Sequence, residues 1–489
     1  MIKKTIFLVS LLLLVSPESP ITSAPGPEQP VIVPMSLDAG KKFQTIDGFG
    51  ANLNPDQWGH GNLKKAFDLL VDDLGGTLFR FDCFGTADWL DPARRGVSGH
   101  YPEEYLKEVY TSQIYRNAWE ALRYLSSKPV KIFLNTSGRI PAGLAGPDGQ
   151  TLRDYDGYAE MVVSQLRWAR EKENIKISWL SPYNETDLGF PEGPIIRPEH
   201  CAEASRAMVK KLDEAGLGGG KLILMDESGR WAVEYPEELL KEPSLAGRMG
   251  ALAIHTYGDG NEGDEGNWYQ DPSRFARIRT RIQGTTFQSV PLWLTEYGDL
   301  DQSQLIEYAI SWRSTRRLLK ALRDGVTAGL VWDGYDNYHK HDNSWSIYGL
   351  LNTDREKWSY TPKSRYFAAR QVYRFVRPGY QRVDFQYVNP APQDVYAEHK
   401  SPMKHLLALA FVSPDGNDGT IVGMSSIEKN AELNLSLKGI QQTIRTTMWT
   451  LYRTSRTENC SKVGEFKIQA DALRIPLKEN SIFTLTTLK

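Results

Sequence analysis

Two glutamates end short apolar runs of the sequence and are candidates to share one pocket. Glu185 follows the run 177–182, and Glu296 follows the run 291–295. Cleavage of a glycosidic bond needs one protonated carboxyl group that donates to the leaving oxygen and one ionised group that attacks the anomeric carbon. Enzymes that retain the anomeric configuration hold this pair roughly 5 to 5.5 Å apart, and their surroundings must separate the two pKa values. We therefore expect Glu185 and Glu296 to carry the chemistry of this chain.

Polar residues at the ends of neighbouring apolar runs would complete such a pocket. Asn184 is placed to hydrogen-bond a sugar hydroxyl, and Arg80 and Tyr257 are placed to keep Glu296 ionised. His255 could act as a general base, but a neutral polar wall residue is the preferred interpretation. The remaining predicted substrate contacts are Asn135, Trp332, Asp333 and the aromatic Trp58.

Other ionisable residues admit two interpretations. Asp226 and Glu227 end a further apolar run, and for these two and for Asp333 a structural ion pair and a functional role stay equally open. His339, His341 and Asp342 superficially resemble metal ligands. Histidines two residues apart in a loop rich in Gly and Asn are a weak metal signal, so we favour contact with substrate. The sequence therefore predicts no metal site.

Eight short apolar runs alternate with helical stretches between residues 44 and 377. Such runs are typical of parallel strands that are buried on both faces. They are Thr45–Phe49, Thr77–Phe81, Val130–Leu134, Ile177–Pro182, Lys221–Met225, Ala251–His255, Pro291–Thr295 and Ala328–Trp332. Eight such units predict an α/β fold, a (β/α)8 TIM barrel, with catalytic side chains at the carboxyl ends of the strands. A doubly wound open sheet is the rival, but no G-x-G-x-x-G loop follows the first run.

Helix signals lie between these runs. Asn62 is a candidate N-cap for a helix that reaches Leu74. Residues 304–324 have apolar spacing near 3.6, and residues 361–376 begin with Thr-Pro, a typical helix start. These segments predict helices of the barrel's outer layer.

The pattern changes after Gly379 to short alternating runs separated by polar turns, which predicts a small all-β sandwich. The strand-like segment Val31–Leu37 is a candidate member of it. We therefore divide the chain into a signal peptide (1–24), a lead-in with the N-terminal strand of the side domain (25–43), a catalytic barrel (44–377) and a β-sandwich side domain (378–489).

The N-terminus has the pattern of an export signal. Two lysines precede the apolar run 6–15, and small residues ending at Ala24 provide a cleavage site. The run is too short to cross a bilayer, and no other run is long enough, so we expect a protein that is secreted or periplasmic, without a membrane span. Three cysteines far apart, Cys83, Cys201 and Cys460, do not form a disulfide scaffold, although one bridge stays open. A net charge of −2 argues against nucleic acid as a partner.

Several of these motifs together resemble glycoside hydrolase family 30, in the clan of retaining (β/α)8 enzymes called clan A. Ile46–Ala51 (IDGFGA) is similar to the family's first strand, and Asn184-Glu185 is similar to the clan's acid/base pair. Glu296 corresponds to its nucleophile position, and 360–379 resembles the last barrel helix and its exit into a β side domain. The resemblance implies a retaining double displacement on a β-linked glycoside, with Glu185 as acid/base, Glu296 as nucleophile and no metal or organic cofactor.

One motif departs from the family. Many members carry Ser-Pro-Pro-x-Trp after the third strand, whereas this chain has Asn135 followed by TSGRIP, so the aromatic floor is missing. Arg139 lies in this segment. It is either a ligand for an acidic sugar or a solvent-exposed loop residue, and we prefer the second interpretation. We expect a monomeric enzyme that degrades β-galactan, xylan or β-glucan. The alternatives are an exo-acting β-glycosidase of a related clan A family and an inactive carbohydrate-binding protein.

Overall fold

The computed structural model describes residues 30–82, 89–177, 179–257, 274–302, 307–339, 343–388, 406–427, 431–436, 444, 448–469 and 472–488. The signal segment, Cys83, His341 and Asp342 lie outside these residues. The first strand, β1 (Val31–Thr45), belongs to a separate sheet. The next eight strands are parallel and close into a barrel: β2 (Gly48–Leu53), β3 (Leu78–Asp82), β4 (Lys131–Asn135), β5 (Trp179–Ser181), β6 (Lys221–Glu227), β7 (Met249–Thr256), β8 (Leu292–Tyr297) and β9 (Ala328–Val331).

Each predicted apolar run overlaps one barrel strand, so the predicted (β/α)8 fold is confirmed. The rival open sheet is excluded because β9 pairs with β2 and closes the ring. The first predicted strand, which begins at Thr45, starts before the observed strand β2, which begins at Gly48. Thr45 ends β1, and the backbone amides of Ile46 and Asp47 donate instead to the carbonyl oxygens of Tyr380 and Thr327.

The helices of the described residues cover the outside of the barrel. They are α1 (Lys64–Asp68), α2 (Glu103–Tyr110), α3 (Gln113–Ser126), α4 (Tyr155–Glu171), α5 (Pro198–Glu214), α6 (Glu234–Leu239), α7 (Arg274–Ile282), α8 (Glu307–Arg323) and α9 (Ser364–Tyr373). A π-helical turn, Leu69–Asp73, continues α1. The amphipathic pattern explains their placement, since in α3 the residues Ala118, Leu122 and Leu125 have no exposed surface.

Two predicted helix starts were wrong. Helix α1 begins at Lys64, and Asn62 lies in the turn before it without capping it. Between β9 and α9 lie four short strands that form two hairpins: β10 (Asn337–His339), β11 (Ser344–Ser346), β12 (Leu351–Asp354) and β13 (Ser359–Pro362). Thr361 and Pro362 belong to β13 rather than to a helix. Proline fits the edge of such a hairpin because its fixed φ is compatible with an extended chain.

The last eight strands form the side domain together with β1. They are β14 (Gln381–Tyr387), β15 (Leu406–Val412), β16 (Gly419–Ser425), β17 (Ala431–Ser436), β18 (Met448–Ser455), β19 (Glu458–Lys467), β20 (Ala472–Leu477) and β21 (Ser481–Thr486). The predicted sandwich is one continuous sheet, in the order β19-β18-β21-β16-β15-β14-β1-β17-β20, whose two edge strands contact each other. Its inner face encloses one apolar core, which includes Leu37, Leu433 and Phe483.

The side domain packs on the last barrel helix through polar contacts. The buried side chain of Gln371 in α9 donates to Thr454 Oγ1 over 2.9 Å and accepts from Thr484 Oγ1 over 2.6 Å. Cys201 and Cys460 are buried free thiols. A search of the described residues finds no helix that is long and apolar enough to cross a membrane.

Strand β1 lies between β14 and β17, so its inward side chains should be important for stability. Leu37→Ala removes a side chain that is 3% exposed, and we expect a loss of about 2–5 kcal/mol in the free energy of unfolding. Ile32→Ala in the same strand removes a side chain that is 48% exposed and should cost less than about 1 kcal/mol. Chemical denaturation followed by circular dichroism measures both, and equal losses would contradict this packing.

Candidate active site

A bulge in β6 turns Asp226 into the barrel mouth. Met225 pairs with Ala253 of β7 and Glu227 pairs with Ile254, so Asp226 between them has no partner in the ladder. Its φ is +46°, in the left-handed region that few residues other than glycine adopt. Such bulges redirect side chains next to functional sites.

The Asp226 carboxylate has no exposed surface and joins five barrel strands. It accepts hydrogen bonds from Arg80 Nη2 (3.3 Å), Asn135 Nδ2 (3.2 Å), His255 Nε2 (3.0 Å), Ser181 Oγ and Thr295 Oγ1. Burial alone would raise the pKa of Asp226, but the positive charge of Arg80 and the hydrogen bond from His255 hold this pKa well below its usual range. Asp226 is therefore a permanent anion below the site.

Arg80 and Tyr257 both contact Glu296 at the end of β8. Arg80 Nη1 donates to Glu296 Oε1 over 2.5 Å, and the Tyr257 hydroxyl donates to Oε2. Burial raises the pKa of Glu296 to about 7, while the positive charges of His255 and Arg80 act in the opposite direction. The contacts with Arg80 and Tyr257 favour the ionised form of Glu296, which predominates above about pH 7.

Glu185 faces Glu296 across His255. Its backbone lies in the left-handed region, with φ +41°, and its amide donates to the carbonyl oxygen of Asp226 over 2.9 Å. Its Oε1 lies 2.8 Å from His255 Nδ1. One carboxyl oxygen of Glu185, one of Glu296 and a ring nitrogen of His255 all lie within 4.8 Å of one another.

His255 has a carboxyl group at each ring nitrogen. Nδ1 contacts Glu185, with Glu296 at 3.5 Å, and Nε2 contacts Asp226. Burial alone would lower the pKa of His255, but the negative charges of Glu296 and Asp226 and the hydrogen bonds raise this pKa well above its usual range. This direction favours the imidazolium form of His255, with a proton on each ring nitrogen, over the neutral wall residue that the sequence predicted.

Two positive charges lie among the buried carboxyl groups of this cluster. Arg80 contacts Asp226 and Glu296, and His255 contacts Glu185 and Asp226. The two glutamates lie close enough for the charge of one to oppose ionisation of the other, and the charge of Glu185 is one cause of the raised pKa of Glu296. The arrangement thus disfavours ionising both glutamates at once.

Several other predicted residues lie at this site. Asn184 Oδ1 accepts from Arg80 Nη2 over 2.5 Å, and its Nδ2 donates to the carbonyl oxygen of Glu192 over 3.0 Å. Trp332 is half-buried beside His339, with the ring centres 5.2 Å apart. Asp333 is buried and lies 3.2 Å from His339 Nε2. Trp332 and Tyr257 therefore present surface to the mouth, whereas Asp333 has almost none.

Two residues that the sequence predicted as substrate contacts are buried away from the barrel mouth. Asn135 has no exposed surface and donates to Ser181 Oγ and to Asp226 below the carboxyl groups, so it supports the site rather than reaching substrate. Trp58 is 2% exposed, donates to Glu120 over 2.9 Å and packs on Phe67 in the core. The sequence marked Trp58 as a rim aromatic because it lies in a loop, but this loop folds back against α3.

Asp226 is the main site residue whose role the sequence left open. Its neighbour Glu227 has no exposed surface, and neither of its carboxyl oxygens has a hydrogen-bond partner among the described residues. Burial raises the pKa of Glu227 well above its usual range, which favours its neutral form. Two adjacent acids at a strand end were the available signal, but only the bulge distinguishes their roles.

Arg139 is exposed, which agrees with the preferred interpretation of it as a solvent-exposed loop residue. Its guanidinium lies 4.5 Å from the Phe190 ring centre.

Solved structures of glycoside hydrolases share this architecture. A family 30 endoxylanase from Clostridium papyrosolvens is similar over 93% of this chain and 99% of its own, with TM-score 0.67 and 16% identity. The catalytic domain of family 30 xylanase C from Talaromyces cellulolyticus is similar over 93% and 100%, with TM-score 0.66 and 16% identity. An endo-β-1,6-glucanase is similar over 93% and 95%, with TM-score 0.65 and 14% identity. No family model and no curated protein sequence matches the chain.

The fold is thus the barrel with an all-β side domain that family 30 structures have, and at the level of fold the predicted resemblance is confirmed. The closed parallel barrel and the side-domain sheet are shared with these structures, and the paired carboxyl groups lie at the carboxyl ends of the barrel strands.

The protonation of His255 can be measured without a substrate. We expect 15N NMR of histidine-labelled protein to show both His255 ring nitrogens protonated at pH 7.5, assigned through the loss of its signals in His255→Gln. Asp226→Asn removes the closest permanent anion and should move the His255 titration to lower pH. Asp299→Asn, which alters a buried acid paired with Arg313 instead, should leave this titration unchanged. A neutral His255 ring in the unaltered protein at pH 7.5 would contradict the charge arrangement.

Proposed function

We propose that this protein is a retaining glycoside hydrolase of the family 30 type that cleaves β-glycosidic bonds in a polysaccharide. The observation that carries the proposal is the pair of carboxyl groups, Glu185 and Glu296, with oxygens within 4.8 Å at the carboxyl ends of β5 and β8. Retaining enzymes need such a short separation, because the nucleophile must reach the sugar directly, with no water between them.

In the first step, an oxygen of Glu296 attacks the anomeric carbon while Glu185 transfers its proton to the leaving glycosidic oxygen. The products are a glycosyl ester of Glu296 and a free leaving alcohol. Arg80 and Tyr257 stabilise Glu296 as a carboxylate before the attack, and His255 places a positive charge beside both acids. Charge-assisted hydrogen bonds of this kind orient the nucleophile as well as keeping it ionised.

In the second step, Glu185, now ionised, removes a proton from water, and the water oxygen attacks the anomeric carbon of the ester. Glu296 leaves as a carboxylate and Glu185 regains its proton. The configuration is inverted twice and therefore retained. All proton transfers use side chains of this chain, and the proposal includes no metal and no organic cofactor.

The proposed substrate class rests on the similar solved structures and on the exposed side chains at the barrel mouth. The similar solved structures are named as endoxylanases and an endo-β-1,6-glucanase. We propose xylan and β-glucan as the first substrates to test, ahead of β-galactan. Asn184, Trp332 and Tyr257 are the proposed substrate contacts around the cleaved bond, because each lies beside the paired acids or retains exposed surface at the mouth.

The proposal includes export and a monomeric state. The pattern of residues 1–24 supports a signal peptide cleaved near Ala24, which would deliver the enzyme to polymers outside the cytoplasm. The proposed domain division keeps the barrel at 44–377 and assigns 25–43 and 378–489 to the side domain.

The two glutamates are tested by comparing leaving groups. Glu296→Gln should reduce turnover roughly 10³-fold or more on every substrate, because no nucleophile remains. Glu185→Gln should lose as much on a polymer but retain substantial activity on a 2,4-dinitrophenyl glycoside, whose leaving group needs no proton. Steady-state kinetics on both substrates measures this difference.

Glu227→Gln is the matched control for these variants. It changes a buried acid of the same barrel rim whose carboxyl oxygens have no hydrogen-bond partner among the described residues, and it should leave turnover nearly unaltered. Near-normal turnover of Glu296→Gln, or equal loss by Glu185→Gln on both substrates, would contradict the assigned roles.

A further inference from the structure

The segment 186–192, which we term the rim loop, exposes two large apolar side chains beside the catalytic acid. Leu188 is 51% exposed and Phe190 is 50% exposed. The loop continues directly from Glu185, and the amide of Leu188 donates to the carbonyl oxygen of Glu185 over 2.9 Å. At its far end the carbonyl oxygen of Glu192 accepts from Asn184 Nδ2 over 3.0 Å. Both ends of the rim loop are thus fixed to the site.

A second segment lies against the rim loop. The amide of Gly138 donates to the carbonyl oxygen of Glu192 over 2.8 Å, which places the next residue, Arg139, beside Phe190. The Arg139 guanidinium lies 4.5 Å from the Phe190 ring centre, in the range of a cation–π contact. Arg139 is exposed and has no acidic partner among the described residues. The pair therefore presents an aromatic face together with unused hydrogen-bond donors.

The rim loop is fixed by hydrogen bonds to the segment that follows β6. The Asp187 carboxylate accepts hydrogen bonds from the amide of Ser228 (3.1 Å), the hydroxyl of Ser228 (2.6 Å) and the amide of Arg230 (2.9 Å). Gly193, just after the loop, lies so close to Asn184, just before it, that an added Cβ would stand 1.9 Å from the carbonyl oxygen of Asn184. A platform that is fixed before binding loses little conformational entropy when a ligand arrives.

We propose that Phe190 and Arg139 form a subsite that binds a sugar unit on the leaving-group side of the cleaved bond. This inference rests on the proposed function. The apolar C–H face of a sugar ring packs on an aromatic ring, and its hydroxyl groups accept from the guanidinium, so the pair offers both kinds of contact that a sugar needs. Adjacent exposed apolar residues at the edge of a site are typical of a surface that a ligand covers.

The position in the barrel favours the leaving-group side. Phe190 and Arg139 follow β5 and β4, and Glu185, the residue proposed to protonate the leaving oxygen, also follows β5. Glu296 lies in β8 and Trp332 follows β9, on the opposite side of the eight-stranded ring. A polymer that crosses the mouth between the two glutamates would place its leaving part over the rim loop.

The test compares a polymer with a small substrate. Phe190→Ala should raise KM for soluble xylan, or for β-1,6-glucan if xylan is not cleaved, about five- to tenfold, as expected for the loss of one stacking contact, with kcat nearly unchanged. Its kcat/KM on a 4-nitrophenyl glycoside should stay unaltered, because that leaving group does not reach the subsite. Phe190→Tyr keeps the aromatic face and should behave like the unaltered protein.

Phe43→Ala is the matched control, since Phe43 is 37% exposed and has the Arg382 guanidinium 3.8 Å from its ring centre, but lies in the side domain. It should not change KM for the polymer. An unchanged KM in Phe190→Ala, or equal losses on polymer and 4-nitrophenyl glycoside, would overturn the subsite.

Affinity electrophoresis in gels that contain the same polymers separates this inference from the proposed function. Retardation that Phe190→Ala weakens supports the subsite even if no bond is cleaved, whereas absence of hydrolysis by the unaltered protein would count against the proposed function. Equal retardation of Phe190→Ala and the unaltered protein would overturn the subsite.

Discussion

The buried carboxylate of Asp226 is the contact on which the rest of the site depends. Ionised groups are costly to bury unless they are paired and hydrogen-bonded, and Asp226 meets this condition through side chains of five barrel strands. Two of these, Arg80 and His255, also reach the proposed catalytic pair. Arg80 holds Glu296, and His255 lies between Glu185 and Glu296. The position and charge of both acids are therefore linked to one anion beneath them.

Inside the barrel, a layer of apolar side chains lies below this polar cluster and supports it. Below the site, side chains such as Leu78, Phe133 and Ile223 fill the interior with almost no exposed surface. The strands are thereby held at fixed distances, and the groups at their carboxyl ends need little movement to act together. No residue of the side domain that the structure describes belongs to the cluster, and the contacts of this domain with Gln371 stabilise the last barrel helix.

The sequence predicted the features that depend on local pattern. Eight apolar runs predicted the barrel, and the residues that end them predicted the meeting of Arg80, Glu185, His255 and Glu296. Features that depend on packing were not predictable. The bulge at Asp226 arises from the mismatch between β6 and β7, and the burial of Trp58 depends on how its loop meets α3. The protonated state of His255 depends on three carboxyl groups brought from separate strands.

The central claim is that Glu296 attacks the sugar directly and that Glu185 acts as acid and then as base. Proton NMR of the first product released from a β-linked substrate in D2O tests it most directly, because each mechanism fixes the anomeric configuration at the moment of release. The account predicts that the β-anomer appears first and converts slowly to the equilibrium mixture. Initial release of the α-anomer would show a single displacement by water and would contradict the account.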